Sequence, residues 1–300
     1  KKAASTVEDY SKNDIIAVIY AQGEIAGGEG DVNVIGEGSI KRSLQEARED
    51  KDVKAIVLRV NSPGGSALTS ELIWREIEIT KKVKPVVVSM GNYAASGGYY
   101  IAANADRIFA EPNTITGSIG VFGMLPNMNQ LGKNIGINAE QVKTHENASG
   151  YSVFEPIDEN FKGFVLESIE KTYATFLKRV ADGRKMTTEQ VDAIAQGRVW
   201  TGVDAHKLGL VDEIGGLDAA IKYAAKLGKT SSYRTENFPE YEKSFEDLLA
   251  NFTGMAMFKT KEQLLKEQLG EEGFQMLEQI KRVKSRKGIQ AMMPYELEIH

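Results

Sequence analysis

The chain has no cysteine in its 300 residues, which removes disulfides, thiolate nucleophiles and thiolate metal sites from consideration. Histidine is nearly as scarce, with three copies at His145, His206 and His300. A serine–histidine–aspartate triad therefore has few candidate bases. HExxH and paired carboxylate–histidine spacings are missing too, so no metal and no other cofactor is expected. Excess positive charge is absent: 37 basic against 42 acidic side chains leave a net charge of −5, which argues against nucleic acid as a partner. No stretch approaches the roughly 18 consecutive apolar residues of a membrane span, and the opening KKAASTVEDYSKND has no apolar signal core.

What is present is the composition of an ordinary globular protein, 42% hydrophobic and 26% charged, with enough apolar mass for a sizeable core. Between Ile15 and Phe122, short β-branched runs (IIAVIY, VKAIVLRV, PVVVSM) alternate with helical stretches. This pattern predicts an α/β fold of βαβ units. The runs Ala55–Val60 and Pro85–Ser89 are continuously apolar, as expected of strands buried on both faces of a mostly parallel sheet. Ile40, Leu44 and Ala47 give the first crossover helix its apolar stripe, and Leu72, Ile73, Ile77 and Ile79 the second. A long amphipathic helix is predicted over Phe161–Val180, a capping box at Thr187 and Gln190, and a short helix over Asp218–Leu227 ending at Gly228. Tyr233–Tyr241 reads as polar and irregular. Helical pieces follow at Lys261–Leu269 and Phe274–Val283, and Lys281–Lys287 reads as a solvated basic helix end. The expected organisation is a linker at 1–14, an α/β domain at 15–236 and a helical carboxyl-terminal extension at 237–300.

Three glycine-containing turns follow predicted strands: Asn61–Ser66, Ala94–Gly98 and Thr116–Gly120. Ligands gather at the carboxyl ends of parallel strands, and a Pro-Gly-Gly turn there leaves backbone N–H groups uncovered for a developing oxyanion. Ser96 sits between Ala95 and Gly97 at a predicted helix start. Two roles suit it, a nucleophile raised toward a carbonyl or a small residue that permits tight strand-to-helix packing. His206 reads as a lightly packed helix residue, and His145 lies in a polar loop. Tyr93, Tyr99 and Tyr100 suit either groove lining or core, and so do Met90, Met124 and Met128.

Taken together, NSPGGS at Asn61–Ser66, KPVVVSMGNYAASGGYYIA at Lys84–Ala102, TGSIGVFG at Thr116–Gly123 and GRVWTGVDAHKLGLVDEIGG at Gly197–Gly216 resemble the protease IV type signal peptide peptidases (SppA). The resemblance runs from about Ile15 to Lys226. It implies a Clp protease/crotonase-like fold, with Ser96 as nucleophile and a lysine as general base. Ser118, 118 − 96 = 22 residues further on, would hold the lysine's amine. Oxyanion donors would come from Gly97 and from the Gly64-Gly65 turn, and Tyr93 and Met124 would line a groove for hydrophobic peptides. Partners implied are other copies of the chain, as a tetramer or larger ring, and a membrane reached through an absent segment. The implied location is the bacterial inner membrane, with the catalytic domain on the periplasmic side.

One residue departs from this pattern. Aligning the motif of short family members on Val142-Lys143-Thr144 puts the catalytic lysine near Ala148, so this chain lacks it there. Long members consist of two homologous halves, the lysine in the first and the serine in the second, and this sequence resembles the second. The base is therefore expected from an absent amino-terminal half. Lys143 or another local lysine, and a catalytically silent half, are the alternatives. A lysine acting as base must lose about 3 pKa units, about 4 kcal/mol of desolvation or like-charge strain, and Lys143 beside Glu146 has no evident source of either. A crotonase-like acyl-CoA enzyme would share the fold but needs carboxylates at the site, and Glu71 and Glu76 lie on the preceding helix. A binding or scaffold role is the remaining alternative.

Overall fold

A computed structural model describes residues 14–145, 148, 151–239, 270, 273 and 289–292. In chain order, β1 (Asp14–Gln22), β2 (Glu24–Ala26) and β3 (Val34–Gly36) precede α1 (Glu37–Glu49). β4 (Val53–Ser62) and β5 (Gly64–Ser66) precede α2 (Ala67–Lys81), and β6 (Val86–Ala95) runs into α3 (Gly97–Ala102). Then follow β7 (Arg107–Ala110), β8 (Ile115–Gly117), β9 (Phe122–Gly123), α4 (Asn129–Asn134), α5 (Glu159–Arg184) and α6 (Thr188–Ile194). β10 (Val199–Thr201), α7 (Gly202–Lys207), β11 (Glu213–Ile214), α8 (Leu217–Leu227), β12 (Tyr233–Phe238) and β13 (Ile289–Met292) complete the described elements.

Eight strands form the main sheet in the order β10-β8-β6-β4-β1-β12, with β7 on β6 and β11 on β7. Every pairing is parallel except β10 with β8. Ala55, Ile56, Val57, Leu58 and Val60 of β4 are all fully buried, as their unbroken apolar run requires. One face of the sheet packs with α1 and α2 through Ile40, Leu44, Ile73 and Ile77. The other packs Ile16, Val18, Val57 and Val87 against Ala220, Ala224 and Ala225 of α8. A second, five-stranded sheet, β3-β2-β5-β13-β9, rises beyond the carboxyl ends of β1 and β4.

α5 is anchored where its middle crosses the core. Phe176 is fully buried with its ring centroid 4.6 Å from that of Tyr100. Arg179 lies 3.9 Å over the Trp74 ring and donates two hydrogen bonds to Glu71, which also accepts from the Tyr100 hydroxyl at 2.5 Å. Helices α2, α3 and α5 are thereby tied by one charge-neutral cluster. The capping box forms as predicted, Thr187 Oγ1 accepting from Gln190 N–H at 3.2 Å and Gln190 Oε1 from Thr187 N–H at 2.9 Å.

Two expectations are corrected. Leu72 is 47% exposed, because its position points away from the Ile73–Ile77 stripe. The polar run from Tyr233 is a strand to Phe238, not irregular: it completes the free edge of β1 in parallel register, where half-exposed Arg234 and Glu236 pair with each other at 2.8 Å. The expected boundary at 236/237 thus falls inside β12. Of the carboxyl-terminal extension, Ile289–Met292 is a strand of the second sheet. The helical pieces at Lys261–Leu269 and Phe274–Val283, the basic run Lys281–Lys287 and the linker at 1–13 lie outside the described residues. Among the described residues no helix is long and apolar enough to cross a membrane.

Phe176→Ala is expected to lower unfolding free energy by about 3–5 kcal/mol. Urea denaturation checks this; an unchanged midpoint would mean that α5 is not held through this ring.

Candidate active site

β6 delivers the site. Its first half pairs with β7 through Val87–Ser89 and its second half with β8 through Tyr93–Ala95. The strand therefore continues through Gly91-Asn92-Tyr93, past the Pro85–Ser89 run expected from the sequence. The ladder with β4 shifts register between Val60 and Ser62, and Asn61 repairs the break: its Oδ1 accepts from Asn92 N–H at 3.0 Å and Tyr93 N–H at 3.3 Å. In the sequence Asn61 stands out only as the start of a motif. Its place between a strand and a Ser-Pro turn was the available signal, since Asn side chains readily substitute for backbone partners.

At the end of β6, Ser96 adopts φ 52° and ψ −115°, and at the end of β8 Ser118 adopts φ 48°. Both lie in the region that non-glycine residues avoid. The register Ala95↔Gly117 sets these serines side by side on adjacent parallel strands, which are spaced about 4.8 Å apart. Ser96 N–H donates to Gly117 O at 2.8 Å, and Ser118 N–H to Arg198 O at 2.7 Å. The Ser96 hydroxyl makes one long bond, to Gly120 O at 3.4 Å. Both serines are buried, at 0% and 2% exposure.

The glycines converge beside Ser96. Gly97 opens α3, so its N–H belongs to the first turn, where no intrahelical acceptor exists. Gly64 has φ +101°, and a methyl built on it would stand 2.2 Å from Ala291 O and 2.7 Å from Gly97 N. A methyl on Gly97 would stand 2.9 Å from Ala291 O. Only glycine allows that approach. Ser62 Oγ accepts from Gly64 N–H at 3.1 Å and fixes the turn, while Gly65 pairs with Ile25 on one side and Ala291 on the other.

The other predicted residues separate. Tyr93 is half-buried, and Met124 is 42% exposed just beyond β9. Tyr99 and Tyr100 belong to the core; Tyr99 donates to Leu210 O at 2.8 Å. Burial pushes both phenols well above their ordinary range, with the bond to Glu71 adding to the effect at Tyr100, so both stay protonated donors. His206 Nδ1 lies 3.2 Å from Val211 O, and His145 is exposed. His300 lies outside the described residues. Lys143 and Ala148 are exposed. Among the described residues, no lysine amine hydrogen-bonds Ser96 or Ser118, and no group of three or more His, Asp and Glu side chains could hold a metal. Glu71 is engaged by Arg179 and Tyr100, and Glu76 by Arg48 at 2.5 Å. The carboxylates that thioester chemistry would use are thus committed elsewhere.

Residues 78–231 match the family described as Peptidase family S49. The chain is 47% identical over 222 residues to "Protease 4" of Haemophilus influenzae, covering 74% of this chain and 36% of that protein. It is 41% identical over 216 residues to "Serine protease SPPA, chloroplastic" of Arabidopsis thaliana, covering 70% and 32%. The chain therefore spans about a third of the length of these curated relatives. Among solved structures, a ClpP1 mutant from Listeria monocytogenes aligns with a TM-score of 0.46 at 16% identity, covering 68% of this chain and 94% of that one.

Asn61→Ala removes the acceptor of two strand amides and is expected to cost about 1–2 kcal/mol, whereas Asn61→Asp, which keeps an acceptor, costs less. Equal losses in urea denaturation would show that Asn61 does not act through this acceptor.

Proposed function

Because the chain belongs to peptidase family S49, we propose that it is the serine-bearing part of a peptidase that cleaves extended hydrophobic peptides, such as spent signal peptides, through an acyl-enzyme on Ser96. The observation that carries this reading is the β6–β8 register, which brings two strained serines to one strand-end level with glycine amides beside them.

The chemistry follows from the positions. Ser96 Oγ attacks the substrate carbonyl and its proton passes to a neutral lysine amine. Charge developing on the carbonyl oxygen is met by the Gly97 N–H and by the Gly64-Gly65 turn, whose Gly64 N–H must first leave Ser62 Oγ. Collapse breaks the C–N bond, and the leaving amine takes the proton from the lysine. Water then attacks the Ser96 ester by the same route. Ser118, one strand over, accepts or donates to the lysine amine and holds it in line. The lysine comes from a segment outside this chain. Supporting this are the exposed setting of Lys143 and the greater length of the relatives, only about a third of which this chain matches.

Assembly and membrane location belong to the same proposal. Exposed Met124, Met128, Leu131, Ile135, Phe154 and Phe164 lie on the segment running from β9 to the start of α5. That apolar strip suits contact with other copies of the chain at the periplasmic face of the bacterial inner membrane.

The test compares this chain alone with a longer protein that includes the upstream segment, using a fluorogenic apolar peptide. Turnover is expected to be at least about 100-fold faster in the longer protein, to vanish in Ser96→Ala and to fall about 10–100-fold in Ser118→Ala. Robust turnover by the chain alone that disappears in Lys143→Ala would replace the external base with the local one. A serine-directed covalent probe that never labels Ser96 in either protein would end the peptidase reading.

A further inference from the structure

The sheet face that packs on α8 is not covered to its end. Val18, Val57 and Val87 lie under that helix. Two residues further along each strand, on the same face, the register sets Tyr20 of β1, Arg59 of β4 and Ser89 of β6 side by side. The next rung pairs Gln22 with Asn61. Two adjoining cavities open here, and Tyr20 and Gln22 line both. The smaller, about 130 Å³, takes in Arg59, Asn61 and Asn92. The larger, about 220 Å³, is walled mainly by Val32, Val34, Ile35, Ile40 and Phe238, with exposed Asp31 among them. Ser96 and Ser118 line neither.

Arg59 is the unusual member of this rung. Burial lowers the pKa of its guanidinium, with Tyr20 and Glu111 pushing the other way, and it stays charged. Both of its hydrogen bonds nevertheless go to neutral acceptors, Ser89 Oγ at 2.8 Å and Met90 O at 2.6 Å, and both come from Nη1. Among the described residues it has no ion-pair partner. A half-buried charge ordinarily has one. The Nε–Nη2 edge is left over, and its two parallel N–H groups match the two oxygens of a carboxylate.

We infer that the two cavities form one binding site, separate from the two serines, for an apolar carboxylate, with the carboxylate on Arg59 and the apolar body lying past Tyr20 in the larger cavity. A few convergent polar groups beside an apolar hollow are the usual make-up of a small-molecule site. Two sources supply this chemistry, the free carboxyl end of a short apolar peptide and a free acyl chain. Asp31 favours the first, because a peptide brings an amino group that an exposed carboxylate can meet and an acyl chain brings none. Peptide hydrolysis creates such carboxyl ends, but the site stands on Arg59 and its cavities whether or not Ser96 is a nucleophile.

Calorimetric titration of the full chain carrying Ser96→Ala, in which no hydrolysis competes, tests this with tri-leucine as the free acid, tri-leucine amide and decanoate. Tri-leucine is expected to bind, and amidation or Arg59→Gln to weaken it at least about 10-fold each. Arg59→Lys keeps the charge without the fork and should fall in between. Val32→Trp fills the larger cavity from an exposed position and should also weaken binding at least about 10-fold; with the amide it decides the matter if Arg59→Gln does not fold. Decanoate weaker than tri-leucine assigns the site to peptide ends, and decanoate tighter assigns it to acyl chains, with the dependence on Arg59 holding in both cases. The inference is overturned by acid and amide binding alike, by binding indifferent to Arg59→Gln in a folded protein or to Val32→Trp, or by neither carboxylate binding at millimolar concentration. None of these readouts needs turnover, so loss of the peptidase reading would leave them unchanged.

Discussion

The hydrogen bond from Ser96 N–H to Gly117 O, 2.8 Å long, is the constraint on which the site depends. It fastens the residue that follows one strand to the last residue of its neighbour and so fixes where two hydroxyls emerge. Each serine sits in a backbone conformation that costs of order 1–3 kcal/mol, and neither would persist on a loose loop. The strand behind Ser96 provides the rigidity: Val86, Val87, Val88, Met90, Ala94 and Ala95 are all fully buried. Core packing in the middle of the sheet is what keeps an unfavourable geometry at its rim.

The second sheet is a by-product of the first. β1 runs through one glycine into β2, and β4 through one proline into β5, so the walls of the site prolong core strands rather than forming separate loops. Asn61 and Ser62 make this possible. The first closes the break where β4 loses register with β6, and the second holds the Gly64 amide. On the far side, Glu71, Tyr100 and Arg179 fix α3 to its neighbours, so the helix that begins at Gly97 cannot drift from the turn it faces.

Much of this was legible in the amino-acid order because it follows from periodicity and backbone stereochemistry. Unbroken apolar runs marked β4 and β6 as doubly buried, the Thr187–Gln190 spacing marked a cap, and the glycine turns marked the strand ends where Ser96 and Ser118 lie. What escaped was set by tertiary pairing. The apolar run of β6 stops short of Asn92 and Tyr93, which join the strand where the Asn61 side chain supplies their partner. The segment from Tyr233 looks irregular until β1 offers it an edge. Ile289–Met292 is too short to announce itself in a charged tail, and only the gap between β5 and β9 makes it a strand.

The brevity of the strands around that gap has its own effect. β5 has three residues and β9 two, too few for either to retain a third strand unaided. β13 lies between them and bonds to both, so each border holds it through a few backbone contacts and its place requires the two together.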